Sequence, residues 1–178
     1  GAVRHVLVDA RSMFFEDTLR FLIMGNVLRG HLYPLCVGAE RTLQAREVAR
    51  VAREQGAWAV AHGSTAAGND QVRFEAALRV LAPGMELLAP IRDQGLSRED
   101  ETAWLVARGF DVPAKTTAYS INRGLWGCTI GGRETNDTVA TLPEDAWVLT
   151  RGAFDAPRDS EVHAVTFEAG VPVAVDGE

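Results

Sequence analysis

The 178-residue sequence predicts an α/β protein in two parts: a doubly wound, mostly parallel sheet over residues 1–111, then part of an α+β domain over residues 112–178. Three observations predict it. As far as Asp111, short apolar runs alternate with stretches whose apolar residues recur at helical spacing. One of those runs, Trp58 to Ala61, passes directly into a Gly-rich polar loop and a helix start. Beyond Pro113 the pattern changes to short β-like runs interrupted by Gly124, Gly127 and the Gly131–Gly132 pair. Alternation of strand and crossover helix is the pattern of a helix-covered parallel sheet, whose ligands bind beyond the carboxyl ends of the strands.

Taken in order, His5 to Asp9 is a short β-branched run and reads as a strand, and Ser12 to about Leu28 carries Phe14, Leu19, Leu22, Ile23 and Val27 at helical spacing. A second helix spans roughly Glu40 to Gln55, with Leu43, Val48, Val51 and Ala52 as its inward stripe and Gly56 as its stop. Trp58 to Ala61 reads as a buried strand. The next helix starts at Gln71, capped by Asn69 or Asp70, turns Phe74, Ala77, Leu78 and Leu81 inward, and ends at Pro83–Gly84. Met85 to Ala89 is another strand. Ser97 and Asp100 make a capping-box variant before a helix that runs to about Arg108 and stops at Gly109. Asp155 to Asp159 reads as an exposed, mobile connection. Val162–Phe167 and Val171–Val175 flank Glu168, Ala169 and Gly170, which predicts a hairpin with a three-residue loop.

Composition excludes several classes. At 47% hydrophobic the chain can bury a core, and a net charge of -6 argues against broad contact with nucleic-acid phosphates, which favours a basic face. The apolar stretch Leu19–Leu28 is broken by Arg20 and Asn26 and is too short to span a bilayer, so no membrane role and a cytoplasmic protein are expected. Cys36 and Cys128 lack metal-ligand spacing and read as reduced, mostly buried thiols, and no metal site is predicted from the four histidines.

The loop from His62 to Asn69 carries the chemistry. Gly63 and Gly68 let the backbone take positive φ and approach a ligand, and the N-terminus of the following helix turns free N–H groups toward it. An ordinary strand-turn-helix corner would share these features, but the residues themselves are specific. His62-Gly-Ser-Thr-Ala-Ala-Gly-Asn-Asp-Gln-Val-Arg-Phe-Glu75 closely resembles the HG-x-T-x-x-GNDQVRFE signature of the argininosuccinate synthase family. Tyr33-Pro-Leu, Ala89-Pro-Ile-Arg-Asp, Leu96-Ser-Arg-Glu-Asp-Glu101 and Tyr119-Ser-Ile-Asn-Arg-Gly-Leu-Trp-Gly-Cys-Thr-Ile-Gly-Gly132 extend the resemblance in the family's order.

That resemblance implies an ATP-pyrophosphatase-like nucleotide-binding domain and part of a synthetase domain. The implied reaction ligates citrulline and aspartate through citrullyl-adenylate, with ATP, accompanied by Mg2+, as co-substrate. Positioning and charge stabilisation dominate such adenylyl transfer, and no covalent enzyme intermediate is needed. By similarity, Gly63 would lie against ATP, and Thr65, Asn69 and Asp70 would hold aspartate. Tyr33, Arg41, Asn69, Arg73, Ser120 and Thr129 would contact citrulline, Arg41 alternatively ATP. Thr129 stands in for a more usual Ser, and Val37 lies where a substrate-binding Thr is usual. Trp126 and Tyr119 read as packing residues and His62 as a hydrogen-bonded structural residue, so no acid or base is assigned.

The family's Ser-Gly-Gly-Leu-Asp-Thr-Ser pyrophosphate loop has no counterpart here, and neither do its later citrulline-binding Glu and Tyr or its C-terminal oligomerisation helix. The resemblance therefore implies an internal fragment of an enzyme that is a homotetramer at full length. The isolated fragment is expected to be inactive and a poorly stable or non-native oligomer. Two alternatives stand beside this reading: another adenylating ligase of the ATP-pyrophosphatase type, and a catalytically inactive ligand-binding fragment.

Overall fold

Parallel strands cannot be joined by a tight turn, so a parallel pair requires a crossover element between its members. The computed structural model of the chain describes residues 2–65, 70–112, 119–150 and 159–178. Along it run α1 (Arg11–Phe14), a π-helical turn (Phe15–Leu19), α2 (Arg20–Met24), α3 (Cys36–Glu54), β1 (Ala59–Ala61), α4 (Asp70–Leu81), β2 (Glu86–Leu88), α5 (Pro90–Asp93) and α6 (Arg98–Val106). Then come β3 (Ser120–Gly124), β4 (Gly127–Gly131), short 3-10 turns at Arg133–Asn136 and Glu144–Ala146, β5 (Val165–Glu168) and β6 (Val171–Val175). They fall into two compact units. One holds the described residues up to Phe14 and from Val37 to Val112; the other holds Phe15 to Cys36 and the described residues from Tyr119 onward.

In the first unit β1 pairs in parallel with β2, Val60 opposite Leu87, with α4 as the crossover. Its core is Ala45 and Ala49 of α3, Val60 of β1, and Leu78 and Ala82 at the end of α4, with Ala52, Phe74, Ala77, Leu81, Met85 and Leu87 packed against them. The inward residues expected of α4 are borne out. For α3 the stripe is corrected in part: Leu43 is buried and Ala52 packs against the core as expected, and Ala45 and Ala49 are fully buried, whereas Val48 is 36% exposed. Small side chains at i and i+4 let the helix backbone approach its neighbours, and that geometry outweighs the larger apolar area of Val48. Trp58 is corrected likewise. It precedes β1 and is 74% exposed, not part of a buried strand.

The expected strand over His5–Asp9 does not form: residues 5–9 join no ladder among the described residues, and Leu7 stands 87% exposed. A strand is a paired state, and an apolar run supplies no partner for its own N–H and C=O groups. The helix expected from Ser12 runs from Arg11 through the π turn and ends at Met24 rather than near Leu28. Asn26 takes φ 44°, and the N–H groups of Asn26 and Val27 close on the carbonyls of Ile23 and Leu22, a left-handed helix stop. Gly56 ends α3 the same way: it takes φ 64°, and Ala57 N–H reaches back to the Ala52 carbonyl at 2.9 Å. At α6 the capping box forms as expected, with Asp100 N–H donating to Ser97 Oγ at 3.1 Å and Ser97 N–H to Asp100 Oδ2 at 2.9 Å.

In the second unit β3 and β4 make an antiparallel hairpin turned by Leu125 and Trp126, between Gly124 and Gly127. The β5–β6 hairpin is corrected in its loop, because Glu168 pairs with Val171 and only Ala169 (φ 49°) and Gly170 (φ 83°) turn the chain. Positive φ at both positions is the two-residue turn whose twist matches that of the strands. Gly170 also lies against α2, where a Cβ would be 3.4 Å from Met24 Cγ. Thr166 faces Ala174 and Phe167 faces Pro172, leaving Val173 as the extra residue of a bulge beside a proline that has no N–H to donate. Residues 155–158 of the expected mobile connection lie outside the described residues. No described helix is long and apolar enough to cross a membrane.

Two outcomes test this packing. Leu78→Ala leaves a cavity in the core of the first unit and lowers the unfolding free energy by about 3 kcal/mol, read as a lower urea midpoint at an unchanged slope. The Ser97 amide and then its hydroxyl hold the Asp100 carboxyl below its ordinary value of 3.8. The depressed folded value means that Asp100's contribution is complete above pH 3.8 and is lost as pH falls through the lower, folded value. Ser97→Ala, which removes the capping hydroxyl, therefore shrinks the acid-side loss of stability measured by thermal melts below pH 4.

Candidate ligand site

The site is built at the carboxyl end of β1. His62 N–H donates to the Leu88 carbonyl at 2.9 Å, so the parallel ladder continues one residue past β1 before Gly63, Ser64 and Thr65 leave it. Gly63 does not take positive φ, which corrects the reason first given for glycine there. Among the described residues, a Cβ at Gly63 would meet no heavy atom within 4 Å. Gly68 and Asn69 lie outside the described residues. Asp70 is the first residue of α4, one position earlier than the expected start at Gln71.

Behind the loop start sits a cluster that the sequence reading did not single out. The Arg92 guanidinium of α5 pairs with the Glu75 carboxylate of α4, and Arg79 reaches the same carboxylate at 4.0 Å. His62 Nε2 faces Glu75 Oε1 at 3.5 Å, and the imidazole stands edge-on to Phe74, with centroids 5.6 Å apart. Ser64 N–H donates to His62 Nδ1 at 3.3 Å. The His62 and Glu75 side chains are only 9% and 16% exposed. Burial first, then the positive charge of Arg92, pushes the His62 pKa below its ordinary 6.5 against the opposing pull of Asp93, so the ring is neutral near pH 7. Two of the motif blocks meet here: His62 to Glu75, which holds the loop and the helix start, and Ala89-Pro-Ile-Arg-Asp. Arg92 lies in one of the quoted blocks, so the signal was present; its partner was not readable without the fold.

Arg73 of α4 lies beside the first turn of α3, where a Cβ on Gly38 would be 3.7 Å from its Cζ and Nε. Arg41 follows one turn along α3 and donates to Gln44 Oε1 at 2.7 Å. Two guanidinium groups thus belong to the region where α3 begins, and both suit carboxylate recognition. Val37 is 7% exposed and serves the core.

In the second unit, Ser120, Asn122 and Thr129 share one face of the β3–β4 hairpin, because Asn122 stands directly opposite Thr129 and Ser120 opposite Gly131. Asn122 was not singled out; pairing register, which sequence does not state, puts it between the two hydroxyls. Tyr33 is presented by a tight loop in which Arg29 and Tyr33 exchange backbone hydrogen bonds of 2.8 and 3.0 Å. That loop is tied to the hairpin: Trp126 Nε1 donates to the Pro34 carbonyl at 2.7 Å, and a Cβ on Gly127 would be 3.7 Å from Cys36 Cβ. Cys36 Sγ donates to the Tyr33 hydroxyl at 3.6 Å. Tyr33, Ser120 and Thr129 therefore belong to one connected assembly within this unit. Burial pushes the Cys128 thiol up, away from nucleophilic use. Tyr119 donates to Glu134 Oε2 at 2.7 Å, a structural use of its hydroxyl.

Two family models match this chain. The one described as Arginosuccinate synthase N-terminal HUP domain covers residues 1–111, and Arginosuccinate synthase C-terminal domain covers residues 119–178. Among curated proteins, the argininosuccinate synthase of Lactococcus lactis subsp. cremoris is 39% identical over 179 residues, 100% of this chain and 45% of the relative. The argininosuccinate synthases of Pyrobaculum aerophilum and Methanocaldococcus jannaschii are 41% and 37% identical, each over 100% of this chain and 45% of its own length. The chain thus spans a little under half the length of the curated relatives it matches.

The half-buried pair behind the loop yields a test. Arg92→Met leaves the Glu75 carboxylate without its main cation and lowers stability by about 2 kcal/mol, whereas Arg92→Met with Glu75→Leu recovers most of that loss in urea unfolding.

Proposed function

The chain belongs to the argininosuccinate synthase family, and from that premise we propose that the protein carrying it ligates citrulline to aspartate at the expense of ATP, through citrullyl-adenylate, releasing argininosuccinate, AMP and pyrophosphate. The observation that carries this reading is the Gly63–Thr65 segment at the carboxyl end of β1, whose glycine has neither positive φ nor, among the described residues, a neighbour that a Cβ would meet. Ligands of parallel α/β sheets bind at that place.

In the first unit, Gly63 admits the nucleotide to the backbone, while the Thr65 hydroxyl and the Asn69 amide donate to the carboxylates of aspartate and the Asp70 carboxylate receives its amine. Arg41, Asn69 and Arg73 address citrulline, the guanidinium groups acting on its carboxylate. In the second unit, Tyr33, Ser120 and Thr129 supply hydroxyls that both donate and accept, the pattern a ureido group needs. Holding the ureido oxygen in line with the α-phosphorus, and later the aspartate amine in line with the activated carbon, is the main catalytic work. Mg2+ enters with ATP as part of that substrate. The fuller reading of the fold is a doubly wound, mostly parallel nucleotide-binding sheet over residues 1–111 and part of the synthetase domain over 112–178. The full-length protein is read as a cytoplasmic homotetramer that does not bind nucleic acid.

Pyrophosphate release by the full-length protein with ATP, citrulline and aspartate tests the reading. Release that requires citrulline supports it, and release indifferent to citrulline overturns it. Ser120→Ala and Thr129→Ala each raise the KM for citrulline about tenfold with little change in that for ATP, the loss of one ligand hydrogen bond.

A further inference from the structure

We propose that His62 is a positioning residue, a neutral latch that holds the Gly63–Thr65 segment in its ligand-binding form by accepting the Ser64 N–H while facing the Glu75–Arg92 pair. The proposal rests on the functional reading above for the identity of the ligand, aspartate at Thr65. The geometry distinguishes the two ring nitrogens. Nδ1 accepts from Ser64 N–H at 3.3 Å and so must carry a lone pair there. In the neutral ring the proton is then on Nε2, which faces Glu75 Oε1 at 3.5 Å inside a cluster closed by Phe74. The charged groups around the ring are Glu75 of α4 and Arg92 and Asp93 of α5, with Arg79 of α4 held to Glu75 at 4.0 Å. Of these, Arg92 disfavours a second proton on the ring, and so does burial.

A second proton can only go to Nδ1. It converts the acceptor of Ser64 N–H into a donor and sets two N–H groups against each other, so the first residues of the loop lose their tie to α4 and α5. Thr65 lies one residue beyond Ser64, and its hydroxyl is the aspartate contact. Acid pH therefore weakens aspartate binding before it unfolds the protein. Because the folded pKa lies below the ordinary 6.5, the effect is absent above that value and develops as pH falls through the folded one.

The full-length protein tests this with two variants at one position. An Asn side chain can place its amide oxygen near the position of Nδ1 and does not titrate; Phe keeps a ring and offers no acceptor. His62→Phe raises the KM for aspartate about tenfold at pH 7.5 while kcat changes less, and His62→Asn restores a KM near wild type and removes the acid-side rise in KM. A merely structural histidine does not produce that split, since Asn and Phe would then differ only in stability. If His62→Phe keeps the wild-type KM and pH profile, or His62→Asn behaves like His62→Phe, the latch is overturned. Failure of the functional reading is separable, because the ring tautomer is read by 15N NMR of histidine-labelled protein without any substrate. A proton on Nε2 at neutral pH supports the latch whatever the substrate is, and a proton on Nδ1 overturns it.

Discussion

Three residues of β1 lie beside three of β2 in parallel, and nearly every feature of the first unit follows from the need to bridge them. A pair so short has few ladder bonds, so its stability comes from what covers it. Leu78 and Ala82 at the end of α4, Val60 of β1 and the alanine face of α3 supply that cover. The crossover also decides where the loop goes. Since α4 must return the chain to start β2 alongside β1, Gly63, Ser64 and Thr65 are left at the carboxyl end of the pair.

The second unit solves a different problem. Two-stranded antiparallel ribbons are marginal alone, and both hairpins are tied to helical or loop segments from earlier in the chain. The β5–β6 turn lies against α2 through Gly170 and Met24, and the β3–β4 turn is held to the Tyr33–Cys36 loop by Trp126 and by the close approach of Gly127 to Cys36. Glycine at 127 answers to its backbone, which takes φ 127°, since a Cβ there would make only ordinary contact with Cys36; the indole N–H satisfies the Pro34 carbonyl. The consequence for function is local: Tyr33 is presented on the same assembly as Ser120, Asn122 and Thr129.

Helix limits were the most legible feature, because they depend on nearest neighbours. Ser97 and Asp100 cap α6 as expected, Gly56 stops α3, and Phe74, Ala77, Leu78 and Leu81 line the inner side of α4. The misreadings share a cause. His5–Asp9 has strand composition without a strand partner, Val48 has the right chemistry on the wrong face, and the β5–β6 loop is one residue shorter than its glycine spacing indicated. Each depends on what lies across from the residue, and no local pattern carries that information. The residues around the loop show the same division: Gly63 and Thr65 announce themselves by motif, while Arg92, 30 residues after His62, meets it through the fold, by way of Glu75 and by its charge.

By itself the sequence determined the chain's family, the alternation of helix and strand, the helix caps and the identity of the motif blocks, because these are carried by residue type and short spacing. Only the tertiary structure decided which face of α3 is buried, that Asn122 stands between Ser120 and Thr129, and that His62, Glu75 and Arg92 form one cluster behind the loop. Those outcomes are set by distances between residues far apart in the chain, and packing and strand register fix such distances only after the chain has folded.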